Sequence, residues 1–467
     1  MISSSSQRAV EALCQRYQAI MLSFTPQRLH LAIAAPPSEE MMEALRFATH
    51  STIDVECWPP ARLEQFRQER NLTPASTIQA TSDSGETAVQ RIDAMLTLAM
   101  QQRASDIHIE PQADSLRIRF RVDGVLQEPP LNCGENAAAL LARLKILANL
   151  DIAERRMPQD GQFTLTLQGK AASFRLSTLA TRCGEKAVIR LLQNDAKSIA
   201  LENLGMSQAA LSRFKEALAR PQGLILVTGP TGSGKTFTLY SGLSSLNTPG
   251  RNLCSVEDPI EIPLPGINQT QIHPKAGLEF SHVLRALLRQ DPDIIMIGEI
   301  RDGETAEIAI NAAQTGHLVL STLHTNSTLE TLTRMGQIGI PGYLLASALK
   351  LVIAQRLVRR LCPHCREPAE AVAHFPRSLW PGTVQNWHAP GCERCYSGFY
   401  GRLALFELLP VTARLQNAIA ANRSQEELVE IMHQQKVNSL FVEGLHCVNR
   451  GETTLEELNR IVGKEDG

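Results

Sequence analysis

The residues Gly229-Pro230-Thr231-Gly232-Ser233-Gly234-Lys235-Thr236 fill every position of G-x-x-x-x-G-K-[ST]. Glycines in such a loop let successive backbone N–H groups turn inward toward phosphate oxygens, and a helix starting there adds the positive end of its dipole. Lys235 then reaches the β- and γ-phosphates, and the Thr236 hydroxyl ligates magnesium. The flanks agree: Leu224, Ile225, Leu226 and Val227 predict a buried strand entering the loop, and Phe237 to Leu246, free of proline, predicts the helix leaving it. The pattern points to a nucleoside triphosphate site. A glycine-rich loop that binds nothing is the competing reading.

Hydrolysis at such a loop needs a carboxylate to position or activate water and an acidic group to help hold the metal ion. Two acidic sites follow apolar strands in the right order. One is Val256-Glu257-Asp258-Pro259 with Glu261; the other is Ile294-Ile295-Met296-Ile297-Gly298-Glu299. Gly298 stands where the generic pattern has an aspartate, so these residues leave open whether Glu299 organises magnesium, polarises water or does both. For Glu257 the plainer alternative is a strand-end acid closing a local turn.

A second chemistry is written in cysteine. Cys362-Pro363-His364-Cys365 and Cys392-Glu393-Arg394-Cys395 are two C-x-x-C pairs with residues 366–391 between them. Such pairs suit a tetrahedral zinc ion held by four thiolates, a closed structural site with no position open for catalysis. A redox reading fits poorly, because neither pair opens a thioredoxin-like βαβ unit. Cys14, Cys57, Cys133, Cys183, Cys254 and Cys447 are scattered and read as ordinary thiols.

These groups must be positioned by a chain of 467 residues, 43% hydrophobic, enough for about two to four domains with a core each. The net charge of −2, three tryptophans, five tyrosines and the lack of a basic run argue against a nucleic-acid partner. The apolar stretch Leu344 to Ala354 is broken by Lys350 and is too short to span a bilayer, and Met1 to Val10 lacks the regions of a secretory signal. The expectation is a cytoplasmic protein. Residues 1–70 predict a small α/β domain: a helical pattern at Leu13, Tyr17 and Ile20, strands at Leu29 to Ala34 and Ile53 to Cys57, and a helix at Glu39 to Ala48. A Ser/Thr-rich linker follows over 71–90. Residues 91–195 predict a strand-dominated α+β domain in which Arg117, Arg119 and Arg121 share one strand face, with a helix from Asn136 to Leu150. Residues 196–467 alternate strand and helix like a parallel sheet, with strands at Gly223 to Thr228, Asn252 to Val256, Ile294 to Ile297 and His317 to Thr322. Ser281 is expected to cap a helix carrying Val283, Leu284, Leu287 and Leu288, and the cysteine module occupies 360–402.

The phosphate loop, the box Glu257-Asp258-Pro259-Ile260-Glu261, the segment Arg289-Gln290-Asp291-Pro292-Asp293 with Gly298-Glu299-Ile300-Arg301-Asp302, and Thr315-Gly316-His317 through His324-Thr325-Asn326 together resemble the secretion ATPases that power type II secretion and type IV pilus assembly. Ser105-Asp106-Ile107-His108-Ile109-Glu110 and Pro158-Gln159-Asp160-Gly161 extend the likeness over roughly residues 95–460. The resemblance implies a RecA-like domain and a preceding PAS-like middle domain that sandwich ATP in a homo-hexamer, and in that family a glycine at the position of Gly298 is normal. It also implies that Arg175 and Arg190 reach the phosphates and that His317 and His324 sense the γ-phosphate, with Arg285, Arg289 and Arg301 as further phosphate or subunit-contact candidates; arginines on a solvated strand face are the plainer reading of the first pair. Assembly-type members carry a tetracysteine motif and retraction-type members generally lack one, so the likeness is to an extension or secretion motor. Its partners would be an inner-membrane platform protein and a membrane docking protein, with the chain peripheral at the inner membrane. A nucleotide-cemented scaffold with little turnover is the alternative, and a nucleic-acid translocase a weaker one.

Overall fold

The computed structural model describes residues 19–24, 28–34, 37, 41–42, 45, 49 and 52–59, and from 88 to 463 all but 114, 132–136, 193–198, 274–275, 371–374 and 377–378. The helical pattern at Leu13 and Tyr17 and the linker over 71–87 lie outside them. The chain divides into two compact units, Met1–Ser84 and Gly85–Gly467.

In the first unit β1 (Ile20–Phe24) pairs antiparallel with β2 (Arg28–Ile33), and β2 pairs in parallel with β3 (Thr52–Cys57). Ile20, read as helical from the sequence, opens β1 instead. Leu29, Leu31 and Ile33 face a small core with Met41 and Leu45.

The second unit opens with α1 (Ala88–Gln101), which the sequence reading missed although Ile92, Met95, Leu96 and Ala99 recur at helical spacing and are buried. Six antiparallel strands follow: β4 (Ala104–Pro111), β5 (Leu116–Val122), β6 (Val125–Gln127), β7 (Gln159–Leu167), β8 (Lys170–Thr181) and β9 (Gly184–Leu192). Their order is β6-β5-β4-β9-β8-β7, with α2 (Ala137–Leu147) inserted before β7. Ile107, Ile109, Phe120, Phe174 and Ile189 point into one core with α1 and α2. Strand alternation therefore turns Asp106, His108, Glu110 and the β5 arginines to the opposite face.

A seven-stranded sheet follows, ordered β12-β11-β13-β14-β10-β15-β18. Its strands are β10 (Gly223–Thr228), β11 (Leu253–Glu257), β12 (Asn268–Gln271), β13 (Ile294–Ile297), β14 (Leu318–Leu323), β15 (Leu349–Leu361) and β18 (Phe399–Pro410). All neighbours are parallel except β15 and β18, which form a long antiparallel pair. Every residue of β10 is buried, because both faces are covered. Ile225 and Val227 pack against α3 (Gln208–Leu218) and α4 (Lys235–Leu246). Leu224 and Leu226 pack on the other side, in a core shared with α5 (Phe280–Leu287), α6 (Gly303–Gln314) and α7 (Thr328–Gln337). The α5 helix starts at Phe280 with Glu279 at its cap position and no side-chain cap bond, so Ser281 is a helical residue and not the cap. The apolar stretch at 344–354 divides between a short helix, Gly342–Ala348, and the buried start of β15. No helix among the described residues is long and apolar enough to cross a membrane.

Parallel strands deliver all their C-terminal ends to one edge of the sheet, where open α/β sheets bind ligands. At that edge β10 gives onto Gly229, β11 ends in Glu257, β13 gives onto Gly298-Glu299 and β14 onto His324. The six-stranded sheet meets the start of β18: Asp123 Oδ2 accepts from Gly401 N at 3.0 Å and from Arg103 at 3.2 Å, and the Arg103 guanidinium lies 3.9 Å over the Tyr400 ring.

Candidate functional site

The phosphate loop is shaped by contacts from beneath. Gly229 has φ +148°, and a Cβ there would lie 2.5 Å from Gln355 O and 2.6 Å from Ser233 Oγ. Gly234 has φ +88°, and its Cβ would meet Gln355 Nε2 at 2.8 Å. Gln355 is the floor of the loop, itself fixed by Thr238 Oγ1, which donates to Gln355 Oε1 at 2.7 Å. Lys235 is buried and folds onto its own loop, donating to Gly229 O at 2.7 Å and Pro230 O at 3.1 Å. Burial pulls its pKa down to about 8, aided by the charge of Arg356 and opposed by that of Glu299. Ser233 Oγ is buried with no hydrogen-bond partner, and half-buried Thr236 is the second residue of α4. A buried cation held by carbonyls, an orphaned hydroxyl and a glycine cradle at a helix start are the donor set a chain of phosphates satisfies.

The acids at the same edge divide into two kinds. Glu299 is partly open: its Oε2 lies 3.0 Å from His324 Nε2, and its Oε1 accepts from Arg301 Nε at 2.6 Å. Burial pushes its carboxyl up, but Arg301 and His324 outweigh that and hold it below the ordinary range. Arg301 also reaches Asp258 at 3.3 Å. Glu257 is almost fully buried, and its carboxylate accepts from Tyr240, Ser255 and Gln269. Burial and the charge of Glu257 push the Tyr240 phenol far up, so it stays a donor. Gly298 has a steric reason: a Cβ there would sit 3.3 Å from Val256 O and 3.4 Å from Glu257 Cα, leaving little room for an aspartate.

Register gathers the arginines of the six-stranded sheet. Arg121 pairs with Asp106, Asp106 with Arg190, and Arg190 with Arg175, giving one row across β5, β4, β9 and β8. Asp106, nearly buried, accepts from Arg190 Nε at 2.9 Å and lies 3.9 Å from Arg121 Nε; Arg175 lies 3.8 Å from Asp160. The Asp106 hydrogen bond raises the Arg190 pKa further, and Glu261 of the acidic box adds to it. Arg117 and Arg119 are engaged by Glu128 and Glu110.

His317 does not join His324. It precedes β14 whereas His324 follows it, and six extended residues separate them by about 20 Å. Its ring nitrogen contacts Ala312 O at 3.0 Å, away from the edge that carries the phosphate loop of this chain. The physical reason is that a strand between two histidines holds them apart. Arg285 pairs with Glu304 at 2.7 Å, and Arg289 donates to Arg285 O at 3.0 Å. Sequence reasoning passed over Gln355, Arg356 and Tyr240, and named Asn326 only as the end of the box that begins at Thr315. A polar pair directly after the apolar run Leu351 to Ala354 was the available signal for the first two.

The cysteine pairs close a separate centre. Cys362 and Cys392 sulfurs are 3.9 Å apart, Cys365 and Cys395 3.7 Å, Cys392 and Cys395 3.7 Å, and all four lie within 4.8 Å of one another. Tetrahedral thiolates at about 2.3 Å from zinc stand about 3.8 Å apart, so these residues fit that ion. The site sits where β15 ends and β18 begins, with Cys362 N donating to Gly398 O at 2.9 Å and the two-residue strands β16 (Glu367–Pro368) and β17 (Trp387–His388) pairing in the intervening loop.

The family described as "Type II/IV secretion system protein" matches residues 81–460. The chain is 54% identical over 456 residues to the "Protein transport protein HofB homolog" of Escherichia coli (strain K12), covering 98% of each. It is 45% identical to the "Type IV pilus assembly ATPase PilB" of Pseudomonas aeruginosa, covering 82% of this chain and 69% of that one. It is equally 45% identical to the "Type II secretion system ATPase E" of Vibrio cholerae, covering 81% and 76%. Among solved structures, the pilus retraction motor PilT with bound ADP aligns with a TM-score of 0.54 at 26% identity, over 80% of this chain and 97% of PilT. The ATPase DotB of Legionella pneumophila aligns with a TM-score of 0.62 at 21% identity, over 82% and 98%, a likeness of fold.

Proposed function

Because this chain belongs to the type II/IV secretion system protein family, we propose that it is an ATP-hydrolysing motor that powers assembly of a type IV pilus or a type II secretion pseudopilus. The observation that carries the reading is the edge where buried Lys235 and the unpartnered Ser233 hydroxyl meet the Glu299–His324 pair.

In this reading the backbone N–H groups from Thr231 to Thr236, in the loop Gly229 to Thr236, cradle the phosphates, and Lys235 exchanges its two loop carbonyls for phosphate oxygens. Thr236 holds magnesium, which when bound neutralises charge on the β- and γ-phosphates. Glu299 orients the attacking water and takes its proton, with His324 fixing the second carboxylate oxygen. Glu257, spent on Tyr240, Ser255 and Gln269, positions the β11 edge instead of meeting water. Arg175 and Arg190, in register on adjacent strands, swing from Asp160 and Asp106 to the γ-phosphate when the two sheets close. Zinc in the tetracysteine centre is structural. The working form is a homo-hexamer at the cytoplasmic face of the inner membrane, acting on a platform protein there, with residues 1–70 as the docking domain for a membrane partner.

A second reading, a nucleotide-bound scaffold of the same machinery with little turnover, draws on the Arg301–Glu299 ion pair, since a neutralised carboxylate is a weak base. Steady-state phosphate release with magnesium, measured over a range of protein concentrations beside Lys235→Ala, separates the two. Specific activity that rises with concentration and disappears in the variant supports the motor. Equal background from both chains at every concentration overturns it in favour of the scaffold.

A further inference from the structure

Arg356 enters none of the roles above, yet it is buried against the phosphate loop. Its NH1 lies 3.2 Å from where a Gly229 Cβ would stand and donates to Gln355 O at 3.0 Å. Its NH2 donates to both Asn326 O, at 3.0 Å, and Asn326 Oδ1, at 3.1 Å. All three acceptors are neutral carbonyl oxygens. Burying a guanidinium without a hydrogen-bonded carboxylate is costly, and a fold needing only packing there would be served by an apolar side chain.

The turn that Arg356 grips is the one that follows His324. A chain of buried hydroxyls holds it from the other side: Thr228 Oγ1 lies 2.6 Å from Thr325 Oγ1, which lies 2.7 Å from Thr331 Oγ1, and Thr325 N donates to Thr228 Oγ1 at 2.9 Å. Ser327 then caps the next helix through Glu330 N at 3.1 Å. The hydroxyl chain ties the turn to the end of β10, and Arg356 ties it to β15, whose Gln355 floors the loop that β10 enters. His324, one residue before this clamp, meets Glu299.

We propose that Arg356 is a positioning residue of the phosphate site: it locks the His324–Asn326 turn to β15 beneath the phosphate loop and adds positive charge beside Lys235. The inference rests on the reading of this edge as a nucleotide site. Lys235 gives a direct readout of the field, because the groups that bear on its charge are Glu299 from the β13 edge and Arg356 from β15, and Arg356 acts to lower its pKa. Burial is the main cause of the lowered Lys235 pKa, and removing the Arg356 charge takes away the part that Arg356 adds, so the pKa rises.

The test is proton uptake on ADP binding to the full chain, measured calorimetrically in buffers of different ionisation enthalpy between about pH 7 and 10, together with the turnover number. Arg356→Met moves the midpoint of uptake up and lowers turnover about tenfold or more. Arg356→Lys keeps the midpoint but loses the fork to Asn326, and turnover falls alone. Asn326→Ala keeps the charge and behaves like the lysine variant, which guards against misfolding of the methionine variant. An unchanged midpoint and turnover within twofold in Arg356→Met overturns the inference. Absence of ADP binding to the unaltered chain overturns instead the reading of the edge as a nucleotide site.

Discussion

The phosphate-loop edge and the tetracysteine centre are both built from residues brought together at strand ends, but they stand in opposite states of completion. The four thiolates face one another at the separations a single tetrahedral ion requires, and no other group is called for. The phosphate edge has a lysine bonded to its own loop, an orphaned serine hydroxyl and a glutamate held by an arginine two residues on. One region is closed on itself and serves shape; the other is held in a provisional set of bonds that a ligand can replace.

The largest expected effect breaks the comparison on its chemical side. Glu299→Gln keeps size and a hydrogen bond to His324 but cannot accept a proton, so turnover falls by about 10²–10³-fold while ADP affinity changes little, as single-turnover and binding measurements will show. Next comes the closed centre. Cys392→Ser removes one ligand of four and lowers the melting midpoint by roughly 5–10 °C, with amide exchange rising first in the 361–402 module. A fall in ADP affinity without loss of that local protection would contradict the division of roles. The smallest effect is the most diagnostic of a provisional bond set. With its pKa lowered to about 8, Lys235 in the empty loop is charged below that pH and neutral above it. Phosphates favour the ammonium form, so binding takes up a proton above about pH 8 and affinity weakens there by up to about tenfold per pH unit. Affinity independent of pH between about 7 and 9.5 would mean that Lys235 does not exchange carbonyls for phosphate.

The sequence reveals the two sites unequally. G-x-x-x-x-G-K-T and the paired C-x-x-C are local patterns, and each motif and its flanking elements stand close to where spacing put them. Glu299 was legible because an apolar strand precedes it. Arg356 and Gln355 were not, because their role comes from the pairing of β15 beside β10, a contact between segments more than a hundred residues apart. The arginine row was half visible: alternation put Arg117, Arg119 and Arg121 on a face, but only register shows that Arg121, Arg190 and Arg175 share a line with Asp106. The α1 helix carried its 3.6-residue signal in plain view, at Ile92, Met95, Leu96 and Ala99, inside the domain expected over 91–195. His317 stands a strand's length from His324, so the two do not meet at one edge of this chain.

The β15–β18 pair gives the unequal regions a common beam. Near the middle of β15 Gln355 props the phosphate loop, the strand then runs extended for about 20 Å to the first cysteine, and β18 returns from Phe399, beside the point where Gly401 is held by Asp123. Registered pairs from Leu351–Pro410 to Leu361–Phe399 join the two strands along this length, so Gly401 and Gln355 belong to one continuous ladder. The cysteine pairs join the two strands at that end, where Cys362 N donates to Gly398 O, so the knuckle fixes the end of the ladder from which Gly401 meets Asp123, while the middle of the same ladder floors Gly229 and Gly234.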